Sequence, residues 1–286
     1  MPGTVWYSAL DLKKKKPTDF CYNAGNIMVK AETANVGFLQ HAARKLTTTV
    51  LSHTVFRSER TDNGHGIDKA KEVLRQGNGL IIVINHFSLK DPPQAINEVF
   101  LHREMGSKKV VAPVAYHMDK DWYHKLGKII GVTLTPVVTE NSVKEGKNNG
   151  HKLNEGKIEY LNESTQLLKK GGVVVLAPQG TRMSYLGQPD KPIIGTIMAG
   201  AKKNGLEKFA FLFMGFRVEG VDNYSDKKVR GFNLLKKYGI NIGACLTNHE
   251  LMEKAGGDFR AVDRIAYEEL RKIVPPNYIG KVTSAV

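Results

Sequence analysis

His86 and Asp91 are separated by four residues and directly follow an apolar run at 80–84. If the run is a strand and a helix begins near Pro92, this interval brings both side chains to one side. Asp91 can then accept a hydrogen bond from one imidazole nitrogen, which leaves the other nitrogen as a general base. Such a dyad, without a protein nucleophile, suits deprotonation of a hydroxyl that attacks an activated carbonyl. The alternative is a strand-end histidine beside an aspartate that caps a helix before proline.

A second group of polar residues follows another apolar run, at 173–176. It is the stretch APQGTR at 177–182. Gly180 allows the backbone to approach a ligand, whereas Thr181 and Arg182 offer a hydroxyl and a planar guanidinium suited to phosphate oxygens. Alone, the stretch fits a turn with a solvated arginine equally well. Two apolar runs that end in complementary chemistry make a stronger case than either one.

Five apolar runs, four of them rich in β-branched residues, predict the strands that position these groups. The predicted strands are 80–85, 108–116, 131–138, 171–178 and 208–216. Helical patterns separate them, most clearly at 67–75 and 155–170. This alternation favours an α/β domain over residues 59–286, with a mostly parallel central sheet flanked by helices. Ligands gather at the carboxyl ends of such strands, so both polar groups are expected at that edge.

Residues 1–58 are predicted to form a basic arm and an N-terminal segment of one or two amphipathic helices. The arm contains Lys13 to Lys16, and apolar residues recur at spacings of three and four over 26–56. The chain has 42 Lys and Arg against 28 Asp and Glu, and its formal charge of +14 favours an anionic partner. No secretory signal and no spanning helix is expected. We therefore expect a cytoplasmic protein, peripheral on the inner face of a membrane.

Other site types are less well supported. Cys21 and Cys245 are far apart, so they predict neither a disulfide framework nor a zinc knuckle, and they favour a reducing compartment. The stretch with His117, Asp119, Asp121 and His124 has metal-ligating residue types, but it matches no established ligand spacing. A polar loop without metal is expected there. Nucleic-acid binding is not expected either, because the basic charge comes without an aromatic-interleaved strand or recognition helix.

Together, the two polar groups resemble motifs of the glycerol-phosphate and lysophosphatidate acyltransferases. The family's first motif is Asn-His, four residues and Asp, often with serine two positions after the histidine and proline after the aspartate. The stretch NHFSLKDP at 85–92 matches all of these. The third motif is Phe-Pro-Glu-Gly-Thr-Arg, and APQGTR at 177–182 matches it at Pro, Gly, Thr and Arg. The separation of the motifs is also similar, and the resemblance covers about residues 60–225.

This resemblance implies an O-acyltransferase similar to the 1-acylglycerol-3-phosphate O-acyltransferases of phospholipid biosynthesis. His86, held by Asp91, would deprotonate a hydroxyl of a glycerol-phosphate or lysophospholipid acceptor. The oxygen would then attack the thioester of acyl-CoA or acyl-acyl carrier protein, with no metal, other cofactor or covalent enzyme intermediate. Substrate binding would fall to Gln179, Gly180, Thr181 and Arg182, with the arginine on the acceptor's phosphate. The other implied partners are acyl carrier protein and an anionic membrane surface.

Two positions depart from the family pattern. Gln179 stands where the family usually has glutamate, so a role that requires a carboxylate is lost there. A second motif begins at Gly131, but Val137 occupies its arginine position. Arg217 and Lys208, which flank a predicted strand, are candidate replacements for this cation. These departures keep open a second function, a non-catalytic lipid-binding or carrier-interacting module on the same fold.

Overall fold

The computed structural model describes residues 36–279 apart from 55, 57, 63–64, 117–118, 145, 149, 181–182, 184, 188, 190–191 and 222–236. The predicted basic arm with Lys13 to Lys16 lies outside the described residues, as do Cys21 and His117.

The described residues form an α/β fold with an N-terminal helix, as predicted. The strands are β1 (Ser58–Asp62), β2 (Gly79–Ile84), β3 (Val110–Ala115), β4 (Val132–Val137), β5 (Val173–Leu176), β6 (Phe209–Val218) and β7 (Tyr238–Thr247). The helices are α1 (Phe38–His53), α2 (Gly66–Arg75), α3 (Asp91–Leu101), α4 (Arg103–Gly106), α5 (Asp121–Ile130), α6 (Glu140–Lys144), α7 (Lys157–Lys169), α8 (Ile193–Lys203), α9 (Asn248–Lys254) and α10 (Phe259–Arg271). None of them combines the length and the apolar character needed to cross a bilayer.

The strands form one sheet in the order β1-β7-β6-β2-β5-β3-β4. The pairs are parallel except for β6 and β7. Strand β2 lies between β6 and β5, and all six of its residues are buried. Its continuous apolar sequence is typical of a parallel strand covered on both faces. The centre of the sheet therefore holds whatever follows Ile84 in a fixed place.

The order of the connections predicts a crevice beside β2. The chain runs from β2 to β3 and β4 in one direction across the sheet and returns through β5 to β6 in the other. Because parallel crossovers are right-handed, α3 and α5 cover one face, and α7 and α8 cover the opposite face. The packing agrees, since α1 contacts α3 and α5 whereas α8 contacts α7 and α10. The helices after β2 and β5 thus leave toward opposite faces, and the crevice lies between the carboxyl ends of these strands.

Helix α1 is fastened to the α/β domain by a buried arginine. The Arg44 guanidinium donates hydrogen bonds to the carbonyls of Gly106 at 2.7 Å, Lys108 at 2.5 Å and Gly131 at 2.9 Å, and also to that of Ile130. Carbonyls at the ends of helices lack intrahelical partners, and a cation stabilises them. Burial lowers the pKa of Arg44 to about 9, so the side chain stays charged at neutral pH.

Candidate active site

The loop between β2 and α3 carries His86 and ends at Asp91, the first residue of α3. Pro92 follows, and it fits the first helical turn because its missing N–H has no role there. The buried Asp91 carboxylate accepts hydrogen bonds through Oδ2 from the N–H groups of Phe87 at 2.6 Å and Ser88 at 2.7 Å. These charge-assisted bonds fix the carboxylate. The structure thus agrees with the predicted sequence of strand, histidine and helix-starting aspartate.

The structure brings His86 and Asp91 together without a hydrogen bond between them. The imidazole Nδ1 lies 3.7 Å from Asp91 Oδ2, about 0.8 Å longer than a typical bond. Nδ1 is buried and has no hydrogen-bond partner among the described residues. The side chain of His86 is 16% exposed, so the accessible part of the ring consists of its other atoms. A small movement of the ring closes the gap, and catalytic hydrogen bonds often tighten only when substrate binds.

Asn85, the first residue of the motif, anchors the end of β2. Its Oδ1 accepts the N–H of Phe216 at 2.6 Å, and its Nδ2 donates to the Phe216 carbonyl at 3.1 Å. The side-chain amide thereby continues the pairing of β2 with β6 by one step. The backbone at His86 is held in line with the sheet as a result.

A buried polar network supports the loop from behind. Ser88 Oγ shares a hydrogen bond of 2.7 Å with the hydroxyl of Tyr238, and it accepts the N–H of Lys90 at 3.1 Å. The ammonium of the fully buried Lys90 lies 4.6 Å from the centre of the Tyr238 ring. Burial, followed by the charge of Asp91, raises the pKa of Tyr238, and burial lowers the pKa of Lys90. Tyr238 was not among the predicted site residues, because no motif connects it to His86.

The turn after β5 carries Gln179 and Gly180. The Gly180 N–H donates to the Ala177 carbonyl at 2.9 Å, and Gly180 adopts φ +66°, a conformation that favours glycine. Gln179 Oε1 accepts the N–H of His86 at 2.8 Å, while its Nε2 donates to the Tyr185 carbonyl at 3.1 Å. An amide can satisfy a donor and an acceptor together, whereas a carboxylate only accepts. The glutamine therefore has a structural use that glutamate would not meet.

A second bond joins the two motifs. The Met183 N–H donates to the His86 carbonyl at 2.9 Å, so both backbone polar groups of His86 bind residues of the β5 side. Thr181 and Arg182, the predicted phosphate ligands, lie outside the described residues. Their roles stay predictions.

Three of the other candidate positions, Gly131, Val137 and Lys208, lie apart from this crevice. Gly131 ends α5 in a left-handed conformation at the amino end of β4, the edge opposite His86, and Val137 ends β4, three strands from β2. The interpretation of Lys208 as a site cation was wrong, because it precedes β6 and so lies at the opposite edge. Arg217 lies near the carboxyl end of β6, at the same edge of the sheet as His86. Its Nη2 lies 4.0 Å from Glu59 Oε2.

In the part of the chain that the structure describes, no three His, Cys, Asp or Glu side chains are grouped to hold a metal ion. His124 Nε2 contacts Asp119 Oδ1 as a simple pair.

No protein-family model matches the chain, and comparison with curated proteins also gives no match. The resemblance to the acyltransferases therefore rests on the two sequence motifs.

Proposed function

We propose that this protein is an O-acyltransferase that moves a fatty acyl group from a thioester donor to a hydroxyl of a glycerol-phosphate or lysophospholipid acceptor. One observation carries the proposal. His86 stands at the carboxyl edge of the central strand, faces a buried carboxylate, and is bonded through its backbone to the APQGTR stretch. Two motifs distant in sequence thus converge on one histidine. A histidine that only ended a strand would not require this convergence.

The mechanism follows from the position of Asp91. With Nδ1 directed to this carboxylate, Nε2 of His86 takes the proton of the acceptor hydroxyl. The oxygen forms a bond to the thioester carbonyl carbon, and the carbon–sulfur bond breaks. The leaving thiolate then receives the proton from the imidazolium. Asp91 favours the charged imidazolium, and its own two backbone hydrogen bonds hold it in position.

The proposed partners are anionic, in keeping with the formal charge of +14. They are acyl-CoA or acyl-acyl carrier protein as donor, a phosphorylated acceptor bound by Arg182, and an anionic membrane surface. We place the protein in the cytoplasm, peripherally bound to the inner face of a membrane that supplies the acceptor or receives the product.

A second candidate is a non-catalytic lipid-binding or carrier-interacting module on this fold. The open distance of 3.7 Å between Nδ1 and Oδ2 and the valine at position 137 favour it. Such a module would bind the same anionic partners without transferring the acyl group.

Transfer of a radiolabelled acyl group decides between the two. Purified protein is incubated with acyl-CoA or acyl-acyl carrier protein and a panel of glycerol 3-phosphate and lysophospholipids, with His86→Ala as control. We expect a labelled ester product from the wild type and at least a hundredfold less from the variant. No transfer to any acceptor, or equal transfer by both proteins, would refute the enzyme assignment.

A further inference from the structure

Helix α1 turns four of its large apolar side chains away from the protein. The residues that it buries are Arg44 and Thr48. Leu39, Leu46 and Val50 are exposed, and spacings of seven and four residues place them on one face of the helix. Phe38, which is 84% exposed, borders this face. A helix that packs only on a globular core has the opposite arrangement.

Helix α5 carries a second exposed apolar stripe. Trp122, Leu126 and Ile129 follow one another at spacings of four and three, and all are exposed, Trp122 by 57%. The residue that α5 buries is Gly127. Because α5 begins after β3, Trp122 stands at the same edge of the sheet as His86.

The two stripes lie on neighbouring helices. Gln40 of α1 donates from Nε2 to the carbonyl of Lys128 in α5 at 2.9 Å. Arg44 binds the carbonyls of Ile130 and Gly131 at the end of the same helix. The exposed apolar residues of α1 and α5 are here called the two-helix face. It consists of Phe38, Leu39, Leu46, Val50, Trp122, Leu126 and Ile129.

The charges on these helices favour an anionic partner. Exposed lysines stand on both helices, at Lys45, Lys125 and Lys128. The sequence of α1 contains no Asp or Glu, and that of α5 contains only Asp121. Lysine side chains extend along apolar surface and place their ammonium groups in the polar layer of a membrane. Exposed tryptophan and leucine with lysine is the composition of an interfacial membrane helix.

We propose that the two-helix face docks on an anionic lipid bilayer, with its apolar side chains at the headgroup and acyl boundary and its lysines on the lipid phosphates. The proposal deepens the proposed function, because it names the surface that meets the membrane and sets the Trp122 end of that surface at the edge that carries His86. It rests on the proposed function only for the identity of the lipid substrate.

Vesicle co-sedimentation of the full chain tests the docking. Wild type, Leu46→Glu/Leu126→Glu and the matched control Ile158→Glu are compared on phosphatidylcholine vesicles with and without phosphatidylglycerol. Ile158 is 75% exposed but belongs to α7, on the opposite face of the sheet. We expect binding that requires phosphatidylglycerol, a loss of about tenfold or more in the double variant, and no loss in the control. Equal binding by all three proteins, or equal loss in both variants, overturns the proposal.

Fluorescence identifies the occupant of the face. The Trp6→Phe variant leaves Trp122 as the single tryptophan, since the chain has two. Acrylamide should quench it strongly in solution and weakly after anionic vesicles are added. If Trp122 is already protected without vesicles, another segment of the chain covers the face and the proposal fails. It also fails if sedimentation velocity finds a dimer that the double variant dissociates, because a second copy is then the occupant.

Acyl transfer to glycerol 3-phosphate in solution, without vesicles, separates this proposal from the proposed function. The double variant should retain wild-type turnover in that assay. Vesicle binding without any acyl transfer would refute the proposed function and leave the docking surface intact. Acyl transfer without vesicle binding would refute the docking surface and leave the proposed function intact.

Discussion

Two of the histidine–carboxylate pairs at the carboxyl edge of the sheet, His151 with Glu155 and His86 with Asp91, differ in burial. His151 Nδ1 lies 2.7 Å from Glu155 Oε1, in the segment that follows β4, and the Glu155 side chain is 46% exposed. His86 Nδ1 lies 3.7 Å from the nearly fully buried carboxylate of Asp91. In both pairs the carboxylate also accepts a backbone N–H. The shorter contact is therefore not the one to which the acyltransferase proposal assigns the general base.

The difference shows what a candidate base requires. The exposed pair forms its hydrogen bond, but water competes for both partners, and such pairs contribute little to stability. In the buried pair, β2, Asn85 and Gln179 fix the backbone of the histidine, and Nδ1 is left without a partner among the residues described. A buried ring nitrogen without a hydrogen bond costs about 1 to 3 kcal/mol, and in the proposed mechanism a bond to Asp91 would recover this cost. In that mechanism, closure in the presence of substrate would couple substrate binding to activation of the base.

The largest contrast is expected from removal of the two imidazoles. His86→Ala should lower kcat/KM for acyl transfer by about a hundred- to ten-thousandfold, because a general base is lost. His151→Ala should leave it unchanged, since three strand spacings of about 4.8 Å separate β4 from β2. Steady-state kinetics on both variants provide the measurement. Similar losses in the two would remove the distinction between the pairs.

The carboxylates should differ in their effect on folding. Asp91→Ala leaves the N–H groups of Phe87 and Ser88 without their acceptor and should lower the free energy of unfolding by about 2 to 4 kcal/mol. Asp91→Asn retains an acceptor, so it should restore most of this stability but not the activity. Glu155→Ala should leave the midpoint of urea unfolding nearly unchanged. An Asn variant with wild-type turnover would exclude a role for the charge of Asp91.

Gln179 offers a smaller effect. Gln179→Met removes the bonds to His86 and Tyr185 and should lower the free energy of unfolding by about 1 to 3 kcal/mol, with reduced turnover. Gln179→Glu keeps the acceptor for the His86 N–H and should lose only the Tyr185 bond, about 1 kcal/mol, with turnover retained. Urea unfolding and steady-state kinetics measure both quantities. If the two variants behave alike, the bond to His86 has no role in positioning it.

The smallest effect concerns pH. The hydrogen bond with His151, then that from the Lys152 N–H, lowers the pKa of Glu155 below 4.5. Because the folded pKa is below the unfolded one, the pair adds stability that is present above pH 4.5 and lost as the pH falls through the folded value. His151→Ala should move the Glu155 pKa back toward 4.5, as followed by carbon-13 NMR titration of the carboxyl. An unchanged pKa would mean that Lys152 alone holds this carboxylate.

The sequence predicted the centre of the sheet well. All five predicted strands are confirmed as β2 to β6, because buried parallel strands require the continuous apolar runs that identify them. Strand β1 was not predicted, since its residues SERTD are polar and it forms only by backbone pairing with β7. The sequence YGINIGACLT of β7, in which apolar and other residues alternate only in part, was also not predicted. The antiparallel pairing of β6 with β7 is therefore known only from the structure.

Within the site, the predicted turn from β2 into α3 is confirmed at Asp91, because a strand end and a proline in the first helical turn are local signals. Contacts between distant segments had no such signal. The bonds of Gln179 to His86 and of Ser88 to Tyr238 join residues 93 and 150 positions apart. They depend on the strand order, which periodicity does not give.

Arg44 has a consequence for the order of events during synthesis. Two of its carbonyl partners, at Ile130 and Gly131, lie 86 and 87 residues further along the chain. At about 5 to 20 residues per second, a ribosome needs roughly 4 to 17 s to reach them. Helix α1 is therefore among the first described elements to be made, yet its docking contacts are completed only after β3 and α5 exist. Until then, the arginine of the nascent helix lacks the two carbonyl partners that α5 supplies.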